Sequence, residues 1–199
     1  MNDNNKIWLS PPHISGNEKK YVEEAFDQNW IAPAGPHLDQ FEDEISRFSN
    51  GYEVAVLSSG TAAIHLSLIL LGIKKDDIVL CSSFTFSASV NPVIYQGATP
   101  VFIDSETETW NMDPVLLEDA INNYIKIGRK PKAIILVHLY GYPAKIDQFL
   151  EISKKYNIPI VEDAAEAIGS KYKNQPLGTF GEIGIFSFKP ELLDQQLFL

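Results

Sequence analysis

Cysteine is nearly missing from this sequence, and its scarcity closes off several chemistries at once. Cys81 is the only one in 199 residues, so an intrachain disulfide, a Cys-x-x-Cys redox pair and a cysteine-built metal cluster are all excluded. A reducing cytoplasm is the expected compartment. The four histidines, His13, His37, His65 and His138, are scattered without ligand spacing, which argues against zinc. Positive charge is also short. With 16 Lys and Arg against 26 Asp and Glu, the formal net charge is -10, and no basic stripe offers itself to phosphates, so nucleic acid is not an expected partner. Long apolar runs are missing too. The greasiest stretch, Ile64 to Ile73, is too short and interrupted to span a bilayer, and the polar start Met1-Asn2-Asp3-Asn4-Asn5-Lys6 has no signal-peptide core, so no membrane association is expected. Neither GxGxxG nor GxxxxGK[ST] occurs, which weighs against dinucleotide and P-loop readings.

What is present suits a globular chain. Apolar residues make up 45% of the sequence, enough for one domain or a domain and a fragment. An extended arm with two prolines, Ile7 to Gly16, leads into a helix over Asn17 to Gln28, an apolar loop at Trp30 to Pro36, and a helix over His37 to Phe48. Strands then alternate with helices. Strands are expected at Glu53 to Leu57, Asp77 to Ser82, Pro100 to Asp104, Lys132 to His138, Ile158 to Val161 and Gly181 to Phe188. Helices are expected after Gly60, from Phe86 to Gln96, over Pro114 to Tyr124 and over Lys145 to Tyr156. Such alternation predicts an α/β fold with a mostly parallel sheet. No linker or repeat divides residues 50 to 188.

Three places follow strands, where open α/β sheets bind ligands. The first is Pro159-Ile-Val-Glu-Asp-Ala-Ala-Glu-Ala-Ile-Gly169, an apolar strand ending in Glu162 and Asp163. A carboxylate there can face a cationic ring nitrogen, with small Ala164 and Ala165 admitting a flat ring. An Asp after a strand is equally the N-cap of a following helix. The second is Ser58-Ser59-Gly60-Thr61-Ala62-Ala63, whose small residues let a phosphate reach a helix N-terminus; an ordinary Ser/Thr cap is the alternative. The third is Ser187, a further phosphate hydroxyl. Phe84 and Phe86 face either a ring or the core. A phosphorylated, ring-bearing cofactor suits all three, and pyridoxal phosphate is the expected one.

Read together, Ser59-Gly60-Thr61-Ala62-Ala63, Thr85-Phe86, His138-Leu139-Tyr140-Gly141, Glu162 to Ala167 and Phe186-Ser187-Phe188 resemble the DegT/DnrJ/EryC1/StrS family of sugar aminotransferases. The likeness runs to Phe188. It implies the three-layer large domain of fold-type I transferases that bind pyridoxal phosphate, in three segments. Residues 1–36 form the arm, helix and substrate or dimer loop, 37–188 the cofactor-binding domain, and 189–199 an aberrant tail, with the small C-terminal domain absent. By resemblance Asp163 pairs with the pyridine nitrogen and Phe86 stacks on the ring. The N–H groups of Thr61 and Ala62 at Gly60, with the Ser187 hydroxyl, hold the phosphate, and Glu166 approaches the ring hydroxyl. His13 and Trp30 lie near a nucleotide sugar. The openings Leu9-Ser-Pro-Pro-His13 and Asn29-Trp-Ile-Ala-Pro33 are similar to enzymes that aminate UDP-4-keto-6-deoxy-N-acetylglucosamine for surface glycans, with glutamate as donor and a homodimer as the full assembly.

The chain departs from that pattern at one decisive place. The family's Schiff-base lysine falls five residues after the serine matching Ser187, and here that residue is Leu192. Lys189, followed by Pro190, is out of register for the role. Leucine carries no amine and moves no proton. The resemblance also puts an antiparallel strand between Val54 to Leu57 and the strand leading to Ser187, and its replacement is expected to leave both edges unpaired. Two other readings are therefore carried: a non-catalytic remnant that binds the cofactor or a nucleotide sugar, and an α/β domain for some other ligand.

Overall fold

The computed structural model describes residues 14–188. They fall into two compact units, one holding the described part of Met1–Val56 together with Phe188, the other Leu57–Ser187. The first contains helices α1 (Glu18–Asp27) and α2 (Pro36–Phe48). Between them the chain turns so that Gly35, in a positive-φ conformation, lies against the Trp30 ring; a Cβ there would come within 3.2 Å of it. His37 meets Tyr21 edge-on, ring centroids 5.4 Å apart. Trp30 and Ile31 are exposed, as the apolar loop in the sequence suggests.

The second unit is built on a sheet of five parallel strands. In chain order the elements are α3 (Gly60–Leu70), β1 (Ile78–Ser82), α4 (Asn91–Tyr95), β2 (Thr99–Ile103), α5 (Pro114–Lys126), β3 (Ala133–Val137), α6 (Ile146–Tyr156), β4 (Ile160–Asp163), β5 (Lys171–Tyr172), β6 (Gln175–Pro176) and β7 (Ile183–Ile185). The strand order is β2-β1-β3-β4-β7. Every residue of β1, β3 and β4 is buried, as expected of strands covered on both faces.

Period-two alternation then sorts their side chains into two layers. Val79, Cys81, Ala133, Ile135, Val161 and Ile185 pack with Ile64 and Leu68 of α3 and with Val90 and Val93. Ile78, Leu80, Ile134, Leu136 and Ile160 pack on the opposite face with Leu117 and Ile121 of α5 and Phe149 and Ile152 of α6. This is the three-layer, mostly parallel α/β architecture of the fold-type I transferases.

Local chemistry sets the element ends. Asp113 caps α5, its Oδ1 accepting from the N–H of Val115 at 2.7 Å and of Leu116 at 3.4 Å. α6 stops at Asn157, left-handed at φ 49°, a conformation asparagine tolerates.

Four sequence expectations need correction. Residues 53–57 form no strand: among the described residues they have no ladder to join, and the Val56 N–H goes instead to Glu42 Oε1 at 2.8 Å. The expected helix from Phe86 to Gln96 is broken into a 3-10 turn, Ser87–Ser89, and the short α4. Pro92 lacks the N–H a continuous helix would use, and so marks a helix start. β4 runs on to Asp163, because its ladder with β3 continues through Val137. β7 ends at Ile185 rather than Phe188, and it bonds only β4 among the described strands. The β5–β6 hairpin was not foreseen, since its turn residues Lys173 and Asn174, both at positive φ, lack the Asn-Gly or Asp-Gly signature.

Candidate cofactor site

Strand alternation separates the two carboxylates that the sequence presents side by side. Asp163 belongs to the α3 layer. Its Oδ2 accepts a hydrogen bond from Ser89 Oγ at 2.6 Å, and its Oδ1 accepts from the Ala165 N–H at 3.3 Å. The residue is buried, and no helix follows it, so the capping alternative reduces to this single turn contact. Burial pushes the Asp163 carboxyl above its ordinary value, opposed by the Ser89 and Ala165 hydrogen bonds. A buried carboxylate disfavoured in this way gains most from a cation placed beside it.

Glu162 faces the other layer and does not reach the same place. One carboxylate oxygen lies 2.9 Å from His138 Nε2 and accepts the Gly178 N–H at 3.0 Å; the other accepts the N–H groups of Phe180 at 2.6 Å and Gly181 at 2.5 Å. Because His138 Nδ1 accepts the Ala144 N–H at 3.3 Å, the imidazole proton resides on Nε2 and is donated to Glu162. Burial alone would raise the Glu162 pKa, but the His138 hydrogen bond and the Gly181 and Phe180 N–H donors bring it below its ordinary value. Glu162 and His138 thus form an internal brace that holds the 178–181 turn against β4. Sequence reading placed Glu162 at the ligand; pleat parity moves it to the core.

The second half of the site lies at the start of α3. Gly60 is the first helical residue, and an added Cβ would stand 3.2 Å from Ser187 Cβ and 3.4 Å from Ser187 Oγ. The missing side chain is what lets the Ser187 hydroxyl approach the helix N-terminus. Ser59 is the N-cap, its Oγ accepting the Ala62 N–H at 3.1 Å. The anion-site and capping alternatives therefore coexist here: Ser59 engages the Ala62 N–H, while the Thr61 N–H has no bond to the described residues. The N-terminal dipole and the hydroxyls of Thr61 and Ser187 favour a phosphate at this corner.

Two further expected site residues lie close in sequence to Ser89 and Asp163. Phe86 is 68% exposed, three residues before Ser89, and Phe84 is also exposed, so neither belongs to the core. Glu166 accepts the Tyr140 N–H through Oε2 at 2.9 Å. Gly141 makes this contact possible, since at φ 77° a Cβ would come 2.6 Å from the Glu166 carbonyl oxygen. Trp30 lies in the first unit. His13, Lys189 and Leu192 are outside the described residues. Ser89 and Thr85 were not singled out as site residues, because a serine in an apolar turn carries no spacing signal. No group of metal-binding side chains occurs among the described residues.

The donor set fits pyridoxal phosphate: a buried carboxylate for a protonated ring nitrogen, an exposed aromatic face at Phe86, and a glycine-opened helix N-terminus with hydroxyls for the phosphate. Known proteins bear on this directly. The model of the DegT/DnrJ/EryC1/StrS aminotransferase family matches residues 12–192. The chain belongs to that family. EpsN of Bacillus subtilis (strain 168), provisionally named a pyridoxal phosphate-dependent aminotransferase, is 51% identical over 183 residues, covering 92% of this chain and 47% of its own. GDP-perosamine synthase of Escherichia coli O157:H7 is 44% identical over 177 residues, covering 89% and 47%. Among solved structures, apo Spr1654 from Streptococcus pneumoniae, a provisionally named sugar aminotransferase, superposes with a TM-score of 0.84 at 33% identity, covering 93% of this chain and 48% of that one. Spr1654 is also solved in forms named for PLP and PMP. The family comprises pyridoxal phosphate-dependent sugar aminotransferases, and this chain spans about half the length of the relatives it matches.

Proposed function

We propose that this chain is the cofactor-binding half of an aminotransferase acting on a nucleotide-linked 4-keto-6-deoxy sugar, of the UDP-4-keto-6-deoxy-N-acetylglucosamine type, with glutamate as amino donor. The observation that carries the reading is Asp163, buried and held on the same sheet face as the Gly60 corner. When bound, pyridoxal phosphate supplies a ring that takes up electrons from the substrate carbon bearing nitrogen. Asp163 keeps the ring nitrogen protonated. Phe86 stacks on the ring, and the Thr61 N–H with the Ser187 hydroxyl fixes the phosphate. Glu166, anchored by Tyr140, approaches the ring hydroxyl. His13 and Trp30 are assigned to the sugar nucleotide.

A second copy of the chain is the inferred partner. Leu66, Ile69 and Leu70 leave α3 apolar on its outer side as well, with Leu70 71% exposed. A helix apolar all round belongs inside an assembly.

The alternative, a non-catalytic binder, is favoured by Leu192, which offers no amine at the family's lysine position. A pyridoxal phosphate titration followed by borohydride reduction and peptide mapping separates the two. Reversible uptake with no label beyond scattered surface lysines is expected and means binding without turnover. A label on Lys189 restores catalysis to the chain, and a keto-sugar assay with UDP- and GDP-linked substrates then decides the nucleotide. A chain that takes up no cofactor refutes the aminotransferase reading, and titration with UDP- and GDP-linked sugars then tests the nucleotide-sugar binder.

A further inference from the structure

Behind Asp163 lies a chain of hydroxyls with a defined direction. Thr85 Oγ1 is 2.6 Å from Ser89 Oγ, which is 2.6 Å from Asp163 Oδ2. Ser89 is buried. A serine has one proton and an ionised carboxylate only accepts, so with Asp163 charged Ser89 donates to Asp163 and accepts from Thr85. Both hydroxyl dipoles then point at the carboxylate, and each strengthens the other in a low-dielectric surrounding. With Asp163 neutral the chain runs backwards, the acid donating to Ser89 and Ser89 to Thr85. Every member stays satisfied in both states, and only the first state suits a cation in front of the carboxylate. The other titratable side chain that bears on Asp163 is His138, on the opposite face of the sheet, where its proton is committed to Glu162.

We propose that the Thr85–Ser89 relay is a positioning device that holds Asp163 ionised and aimed at a protonated ring nitrogen, so that Ser89 selects for a pyridinium over an uncharged ring. The inference rests on the cofactor reading above and adds two residues to it. Neither needs to touch the cofactor. Ser89 acts through Asp163, and Thr85 acts through Ser89.

The test compares pyridoxamine phosphate with its 1-deaza counterpart, in which carbon replaces the ring nitrogen. The amine form is chosen because it has no aldehyde to react with surface lysines. Both are titrated calorimetrically into the full chain and into Ser89→Ala, Ser89→Thr and Thr85→Val. A hydrogen bond to a charged partner leads to an expected loss of about tenfold in pyridoxamine phosphate affinity for Ser89→Ala. Thr85→Val, one bond further away, is expected to lose about threefold. Ser89→Thr keeps the hydroxyl and stays near wild type. Affinity for the deaza compound is unchanged throughout. Equal weakening of both ligands means that Ser89 merely supports the fold and overturns the proposal, as does a Ser89→Ala variant with full affinity. If Ser89→Ala fails to fold, Thr85→Val carries the same comparison. A wild-type chain that binds neither compound refutes the cofactor reading, and a wild-type chain that binds with no nitrogen-dependent variant effect refutes the relay alone.

Discussion

Gly184 sits in β7 where no side chain has room: a Cβ would lie 1.8 Å from the Gly178 carbonyl oxygen. Gly184→Ala must displace backbone, and it is expected to cost at least about 2 kcal/mol in denaturant melts. Gly128→Ala, at φ 75° with nothing within 4 Å, should cost only the left-handed penalty, about 1 kcal/mol. Asp163 shows the opposite balance, because its buried charge opposes folding. Asp163→Asn keeps an acceptor for Ser89 and removes the charge. The unliganded variant is expected to melt about 2–4 °C higher, the shift of roughly 1 kcal/mol, while cofactor affinity collapses. Calorimetry with and without pyridoxal phosphate reads both effects. At this scale Asp163 and Gly60 were legible in the sequence because each adjoins a short apolar run and has small neighbours. Ser89 was not, since its role arises from a contact 74 positions away, and Glu162 was misplaced because adjacency in sequence hides pleat parity.

At the scale of elements, capping and pairing decide where segments begin and end. Asp113→Ala strips α5 of a side chain that serves two N–H groups, and a loss of about 1 kcal/mol is expected from chemical denaturation. The parallel strands β1, β2, β3, β4 and β7 and the helices α5 and α6 were readable from apolar runs and helical periodicity, because parallel strands buried on both faces write themselves as continuous Val, Ile and Leu. The misread segments are those whose form depends on something other than their own residues. Residues 53–57 have the composition of a strand and no partner strand. Residues 86–96 have helical periodicity, but Pro92 restarts the helix. The β5–β6 hairpin is two residues on each side, too short to leave a pattern.

For the whole molecule, acid is the expected weak point. Burial alone would raise the Glu106 pKa, but hydrogen bonds from Thr109, Glu108 and Lys145 bring it down to about 2. The Glu162 carboxyl is likewise below its ordinary value. Groups depressed in the folded state contribute their stabilisation fully above the ordinary carboxylate range and lose it as pH falls through the folded value. The denaturant midpoint should therefore hold near neutrality and fall from about pH 4.5 downward toward about pH 2, and Glu106→Gln should flatten that fall. Replacing Glu162 by Ala strands His138 and three N–H groups, and about 3–5 kcal/mol is expected to go with it. The parity of β4 carries a last consequence, one of length rather than composition. Slipping β4 by a single residue against β3, from an insertion or deletion that the preceding turn does not absorb, would exchange the two faces, turning Asp163 toward the core brace and Glu162 toward the Gly60 side. The strand can vary in its letters, but it cannot vary in its count.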